Sequence, residues 1–480
     1  MVTDMPKPEM RFKFPLAGLI ILAAFALSGC HPRVSAIAPP LENEGEIYIY
    51  IQPMPQEADR LKFSLTDVTA VKEDGTETKL TLDLTDIDGR ELKAQRLFAH
   101  GRLGPGNYKG INMKAVKATL SSEDGEAALL VPEKPSEALF AFSVQKKKSA
   151  MLVLTFSYGG SVTGGFGFTP SFTLLSPPRP VVALMGYVTD YGSNALTVFD
   201  KYTRQAAGVI ATGQGPSGLA FDTGRRRAYV SCSAVDTLEV VDITTGDAVN
   251  RAGMNPGDRP RDIALTPDGR TLLVANEGSN TVSFMDPDSL VEVARVLAGD
   301  GPTALLMGRD GRRAFAFNYR SNNITVLDMG TRSVAGVIPT QGSPIRGQLN
   351  RSGDTLYVIQ EGSPYMAVVD TRTLATAGRV YVGLGMCAIK VDPATDLIYI
   401  SLKDEDRLYV FDPLSLIPVD YIKVGGPASY MAIDDEYNSL FIVVPDNKSV
   451  EVVNLNTREL AAVIPVLAEP YFVALMGERF

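Results

Sequence analysis

The stretch Tyr187-Val188-Thr189-Asp190-Tyr191-Gly192-Ser193-Asn194-Ala195-Leu196-Thr197-Val198-Phe199-Asp200-Lys201-Tyr202-Thr203 decides the fold, because its spacing recurs to the end of the chain. Its second β-type run ends in Asp200, and equivalent runs end in Asp242, Asp286, Asp328, Asp370, Asp412 and Asn454, at intervals of 42, 44, 42, 42, 42 and 42 residues. Three residues beyond each anchor stands a hydroxyl: Thr203, Thr245, Ser289, Thr331, Thr373, Ser415 and Thr457. Thirteen before each stands a bulky apolar residue: Tyr187, Tyr229, Leu273, Phe315, Tyr357, Tyr399 and Phe441. An Asp or Asn followed by Ser or Thr at this separation hydrogen-bonds the backbone of a tight turn, so the pattern is a folding device. Units open at Gly/Pro-type corners, Pro216, Pro260, Pro302, Pro344, Pro427 and Pro470, with Met386 at the sixth equivalent place. Corner, apolar strand, turn and anchored hairpin make four short strands per unit, the blade of a β-propeller.

The number of blades is a closure problem. The first unit, from Val181, lacks room for an opening strand, and Glu469 to Gly477 is an opening strand with nothing after it. Together they make one blade, so the expectation is a seven-bladed ring latched by its own N- and C-terminal strands, a closure that leaves no open strand edge. Val-Ala-Leu-Met-Gly occurs at both 182–186 and 473–477, so either copy is a candidate for the opening strand. Tyr187-Val188-Thr189-Asp190 and Leu273-Val274-Ala275-Asn276 resemble the motif of the YVTN repeats, related to surface-layer and NHL-like propellers. That resemblance implies a fold, and a place on envelope proteins, for residues 181–480.

Upstream, residues 46–176 alternate in short β-type runs such as Ile47-Tyr48-Ile49-Tyr50-Ile51, with turns at Asp74-Gly75, Asp88-Gly89 and Asp124-Gly125. The pattern predicts an antiparallel β-sandwich, joined to the propeller by a linker at 177–180. Leu103-Gly104-Pro105-Gly106-Asn107-Tyr108 resembles the corner of transthyretin-like sandwiches, and the segment is similar to a domain of unknown function found near the start of bacterial lipoproteins. The fold class expected is therefore all-β.

The first 29 residues carry Lys7, Arg11 and Lys13, then an apolar run from Phe14 to Leu27 and Leu27-Ser28-Gly29-Cys30. A basic start, a short apolar core and small residues before a cut describe an export signal. The run is shorter than the ~20 residues that span a bilayer. The tetrad resembles the bacterial lipoprotein box, which implies acylation of Cys30 and anchoring by acyl chains. Each buried CH₂ of those chains is worth about 0.8 kcal/mol. His31 rather than Asp follows Cys30, and for a Gram-negative source the resemblance to that family then implies the outer membrane, periplasmic or surface-exposed. Residues 30–45, with Pro32, Pro39 and Pro40, read as a tether.

Composition excludes several chemistries. The chain has 46 Lys+Arg against 55 Asp+Glu, a net charge of −9, and its longest basic run is Lys146-Lys147-Lys148, which argues against nucleic acid as partner. His31 and His100 are its only two histidines, so the propeller has none for a zinc site, a haem or a Ser/His pair. His100 reads as a packed or surface residue. Cys232 and Cys387 fall three blades apart, too far for the ~7 Å that a disulfide allows, so two unpaired buried thiols are expected.

Two residue sets remain as candidates. Asp190, Asn276, Asn318 and Gln360, each ten before its anchor, are oxygen-bearing side chains that could bound a hard-cation site with Ca²⁺ as the ion, or else serve as strand-end structure. Tyr191, Glu277, Tyr319, Arg320 and Glu361 follow that position, while Arg261, Arg346, Tyr430 and Tyr471 fall in or beside opening strands, where Tyr and Arg suit a binding face. The expected function is a lipid-anchored scaffold or binding protein of the envelope with a protein or glycan partner and no cofactor. The alternative is a cation-dependent hydrolase of the lactonase type using the carboxylate and amide ligands.

Overall fold

The computed structural model describes residues 37–122 and 125–479. The Cys30 lipidation site, the signal segment and the first part of the tether lie outside the described residues. From Met185 onward the chain forms seven four-stranded antiparallel sheets, the blades of the propeller. Blade 1 holds Met185–Asp190, Ala195–Asp200 and Gln205–Ala211, and its innermost strand is Pro470–Leu475 from the far end of the sequence. The two pair antiparallel with Tyr187 opposite Ala474 and Val188 opposite Val473. Of the two Val-Ala-Leu copies, 473–475 therefore opens the blade, whereas Val182–Leu184 forms a single 3₁₀ turn.

The repeated anchors do what their spacing predicts. Asp242 Oδ1 accepts the N–H groups of Thr244 at 2.7 Å and Thr245 at 3.0 Å, and Asp200, Asp370, Asp412 and Asn454 hold the same pair of N–H groups. The side-chain oxygen, a carboxylate in blades 1 to 6 and an amide in blade 7, fixes the turn between the third and fourth strands. The residue four beyond the anchor closes it in the left-handed region, and only one of the seven, Gly246, is glycine. At the other six positions the side-chain strain is outweighed by the turn's own hydrogen bonds.

The N-terminal unit is a two-sheet sandwich. One sheet runs Phe172–Leu175, Ser149–Phe156, Gly45–Ile51, Arg96–Leu103, Thr81–Leu82; the other is built on the long pair Leu61–Lys72 and Gly106–Ser122. Tyr108 donates its hydroxyl to the Gly104 carbonyl at 2.8 Å, pinning the corner noted in the sequence. One pair departs from the antiparallel expectation: Gly45–Ile51 runs parallel to Ser149–Phe156. About a hundred residues separate these strands, so no hairpin dictates their direction, and burial on both faces suits a parallel pair. Ile47, Ile49 and Ile51 enter the sandwich core. Tyr48 and Tyr50, on the opposite face, pack with Met151 and Val153 against Ala195, Ala206, Val209 and Leu467 of the propeller.

This docking explains an oddity of blade 1. The outer strand of other blades is largely exposed, as in Ala248–Gly253, while Gln205–Ala211 is half to fully buried. Buried Gln95 satisfies that outer strand by donating to the Ala206 carbonyl at 3.2 Å and accepting the Ala206 N–H at 2.8 Å. A side-chain amide thus stands in for a neighbouring strand at an edge that would otherwise be open. Cys232 and Cys387 are buried in blades 2 and 6 and are not joined by a disulfide, the Cys387 thiol donating to the Ser401 carbonyl at 3.4 Å.

Candidate functional site at the propeller mouth

Seven inner strands line the channel: Pro216–Asp222, Pro260–Leu265, Pro302–Met307, Ser343–Leu349, Met386–Val391, Tyr430–Asp434 and Pro470–Leu475. Their opening residues stand in register with the ends of the second strands, Pro260 opposite Asn276, Pro302 opposite Asn318 and Pro344 opposite Gln360. Opening corners and second-to-third-strand loops therefore share one rim, which is the mouth. Neighbouring inner strands approach closely there: a Cβ on Gly218 would come within 2.9 Å of the Asp262 Cα.

Most of the predicted binding set converges on this rim. The Arg261 guanidinium lies 4.5 Å from the Tyr471 ring and 5.5 Å from that of Tyr191. Arg346 stands 4.6 Å from the Tyr430 ring and 5.8 Å from Phe472, with its Nη1 3.5 Å from Asp262 Oδ2. The Tyr430 and Phe472 rings are 4.0 Å apart. Each such cation–ring contact contributes about 0.5–2 kcal/mol, more when desolvated. Arg261 is 9 % exposed, and its Nε has no hydrogen-bond partner. Asp262 also accepts the N–H groups of Ile263 and Leu305, each at 2.9 Å. Burial pushes its carboxyl up from the usual range, opposed by Arg346.

Around this centre the loops tie themselves together. Arg320 reaches Glu277 at 3.1 Å and Asp300 at 2.8 Å, and the Tyr319 hydroxyl donates to Glu361. Burial raises the Glu361 carboxyl above its ordinary pKa. Sequence reasoning missed Asp262 and Phe472. An acid inside an otherwise apolar opening strand, next to Arg261, was the available signal for the first; the second is one more ring in Pro470–Leu475.

The four candidate cation ligands each have hydrogen-bond partners in the fold, while the Oδ1 atoms of Asn276 and Asn318 are buried without one. Asp190 is fully buried, accepts the Thr197 hydroxyl at 2.5 Å and the Leu467 N–H at 3.1 Å, and burial drives its carboxyl up to about 8 against those two bonds. Asn276 donates to Thr281 and Ser283, and Asn318 to Asn323 and Thr325. Gln360 accepts the N–H groups of Gln341 and Gly342. Among the described residues no hydrogen bond joins any two of the four, and no three His, Cys, Asp or Glu side chains form a metal cluster. Asp190 and Gln360 instead hold the backbone crossing from one blade to the next, a role that Glu239 and Glu451 take in blades 2 and 7 by accepting Gly213 and Gly425 N–H groups.

The opposite rim is tied by ion pairs. Lys201 pairs with Asp434, both buried, and donates to the Met476 carbonyl at 2.6 Å. Lys390 meets Glu478 at 2.7 Å, and Arg479 reaches Asp392 at 3.0 Å.

Known proteins agree on the architecture. Residues 192–385 match the YNCE-like beta-propeller family. No curated protein matches the chain. Three solved structures are similar. A functionally unknown protein from Desulfotomaculum acetoxidans DSM 771 is 12 % identical at a TM-score of 0.53, over 60 % of this chain and 98 % of that one. The dihydro-heme d1 dehydrogenase NirN in complex with DHE is 14 % identical at 0.50, over 64 % and 78 %. Hydrazine synthase of Kuenenia stuttgartiensis is 18 % identical at 0.48, over 53 % and 87 %. At these identities the first two speak for the fold alone. The protein is nearly all-β and carries a β-propeller.

Proposed function

We propose that this chain is a lipid-anchored binding protein of the cell envelope whose propeller mouth receives a carboxylate of an acidic protein partner. Arg261 carries the reading. A buried guanidinium N–H without an acceptor costs about 1–3 kcal/mol, and the nearby acid, Glu277, is already tied to Arg320. A planar carboxylate suits the guanidinium fork, and the rings of Tyr191 and Tyr471 supply the dry walls that strengthen such a bond.

The tether supports a membrane-facing mouth. Ala38 donates its N–H to the Gly192 carbonyl at 3.0 Å and accepts from Asn194 at 2.7 Å and Gln214 at 3.1 Å, all on the rim of blades 1 and 2. Cys30 stands eight residues earlier, a reach of at most about 28 Å. An acylated Cys30 would keep this rim close to the lipid.

Two experiments test the proposal. Cys30→Ser should move the protein from the membrane to the soluble fraction of envelope preparations; retention in the membrane would refute the anchor. At low salt, calorimetry with a capped tetraglutamate peptide should show binding that Arg261→Met weakens by at least about tenfold, with Arg204→Met, on the far rim, as the neutral control. Equal affinities for the wild type and Arg261→Met would refute the site.

A further inference from the structure

A cleft of about 920 Å³ opens between the sandwich and blades 7 and 1. Its walls come from both the sandwich and the propeller. His100, Asp83, Glu46 and Arg102 line it from the sandwich, and Lys448 and Ser449 from the loop and third strand of blade 7. We propose that this cleft is a second ligand site, one that takes the phosphate group of a small organic phosphate ester between His100, Lys448 and Ser449.

The hydrogen-bond arithmetic points that way. Of the three carboxylates that line the cleft, Glu91, Asp83 and Glu46, the last two are already engaged: Asp83 Oδ2 holds His100 Nδ1 at 2.6 Å, while Glu46 accepts the Tyr48 hydroxyl at 2.9 Å and lies 3.4 Å from Arg102 Nε. The donors are not. Ser449 is 2 % exposed and its hydroxyl has no partner. Among the described residues the Lys448 ammonium has no ion pair, and His100 has its second ring nitrogen left over once Asp83 binds the first. Asp83 also holds the imidazole toward its cationic form, with burial and the charge of Lys448 opposing. Two donors, the His100 ring and the Lys448 ammonium, thus line one cleft from the sandwich and from blade 7, with a buried hydroxyl beside the second. An anion between them supplies the missing acceptors. Phosphate offers oxygens in several directions, which suits donors converging from opposite walls. The cleft volume is that of a small-molecule site rather than of a bare ion, leaving room for an organic group.

The phosphate could belong to a soluble ester or to a lipid headgroup at the membrane surface, and separate arms distinguish them. Glycerol 3-phosphate is titrated into the full chain by calorimetry, and phosphatidylglycerol vesicles are compared with phosphatidylcholine vesicles in flotation. Binding in either arm is expected to weaken by about tenfold in Lys448→Asn and in Ser449→Ala. Asn accepts the left-handed backbone at position 448, and His100→Gln gives a third variant on the other wall. Arg261→Met should bind phosphate as the wild type does. Saturable binding of glycerol 3-phosphate assigns a soluble ester, and binding of phosphatidylglycerol vesicles alone assigns the headgroup. The proposal is overturned if neither probe binds, if all three cleft variants bind unchanged, or if only Arg261→Met loses binding, which would put the phosphate at the mouth.

Discussion

Asp190 shows how one side chain can look like a ligand in sequence and be a structural proton site in the fold. It ends the second strand of blade 1, and its carboxyl receives the Thr197 hydroxyl and the Leu467 N–H of the crossing chain. Tyr48 and Tyr50 of the docked sandwich cover the same region, and each feels its charge. Burial raises the carboxyl to about 8 from an ordinary 3.8. Below the ordinary value both folded and unfolded chains hold the proton. Between the two values only the folded chain does, so stability falls as pH rises, by up to about 1.4 kcal/mol per pH unit. Asp190→Asn keeps the shape and removes the titration. Urea unfolding at pH 5, 6.5 and 8 should therefore show the variant gaining on the wild type at each step; parallel pH profiles would refute the assignment. The turn anchors act in the opposite sense. Backbone N–H groups hold Asp242, Asp286, Asp328, Asp370 and Asp412 below their ordinary pKa, so their contribution is present above about 4 and lost as pH falls below it.

At the scale of the element, what could be read in advance was whatever is local and repeated. A blade is three successive hairpins, so its strands, turns and anchors lie within 42 residues and recur at that interval. The convergence of Tyr191, Arg261, Arg346, Tyr430 and Tyr471 followed, because the starts of inner strands and the ends of second strands meet at one rim. Pairings between distant segments left no such trace. Gly45–Ile51 alternates Ile and Tyr as a strand should, but nothing in the alternation says that the Tyr face docks on another domain or that its neighbour runs parallel. His100 reads as a packed or surface residue because no second ligand stands at a metal spacing from it. Its partner Asp83 arrives through the short pairing of Thr81 with His100, which depends on the sheet order. The four oxygen-bearing strand ends are legible only in part for a related reason: their position in the repeat is local, while the crossing backbone that Asp190 and Gln360 hold belongs to the neighbouring unit.

For the whole molecule the decisive feature is the latch. Among the seven inner strands, Pro470–Leu475 alone is not continuous with the rest of its blade; it brings Val473 and Leu475 into the core between blades 7 and 1 and Phe472 into the core between blades 1 and 2. Its ends are held at both rims. On the mouth side Thr189 and Ser193 accept the Phe472 and Ala468 N–H groups at 3.1 Å each, and on the far side Lys201 binds the Met476 carbonyl while paired with Asp434. Deleting residues 469–480 opens the edge of Met185–Asp190, removes an acceptor from a buried ion pair and uncovers the channel. Each lost apolar side chain is worth about 1.5–3 kcal/mol, so the three together should lower the melting temperature by roughly 10–20 °C. A ring under mutual support should loosen everywhere, with amide exchange accelerated in blade 4 as well as in blades 7 and 1. A synthetic 469–480 peptide added in trans should restore part of the stability by strand addition. An unchanged melting temperature, or fast exchange confined to blade 1, would mean that the blades stand independently and that the latch holds only its own sheet.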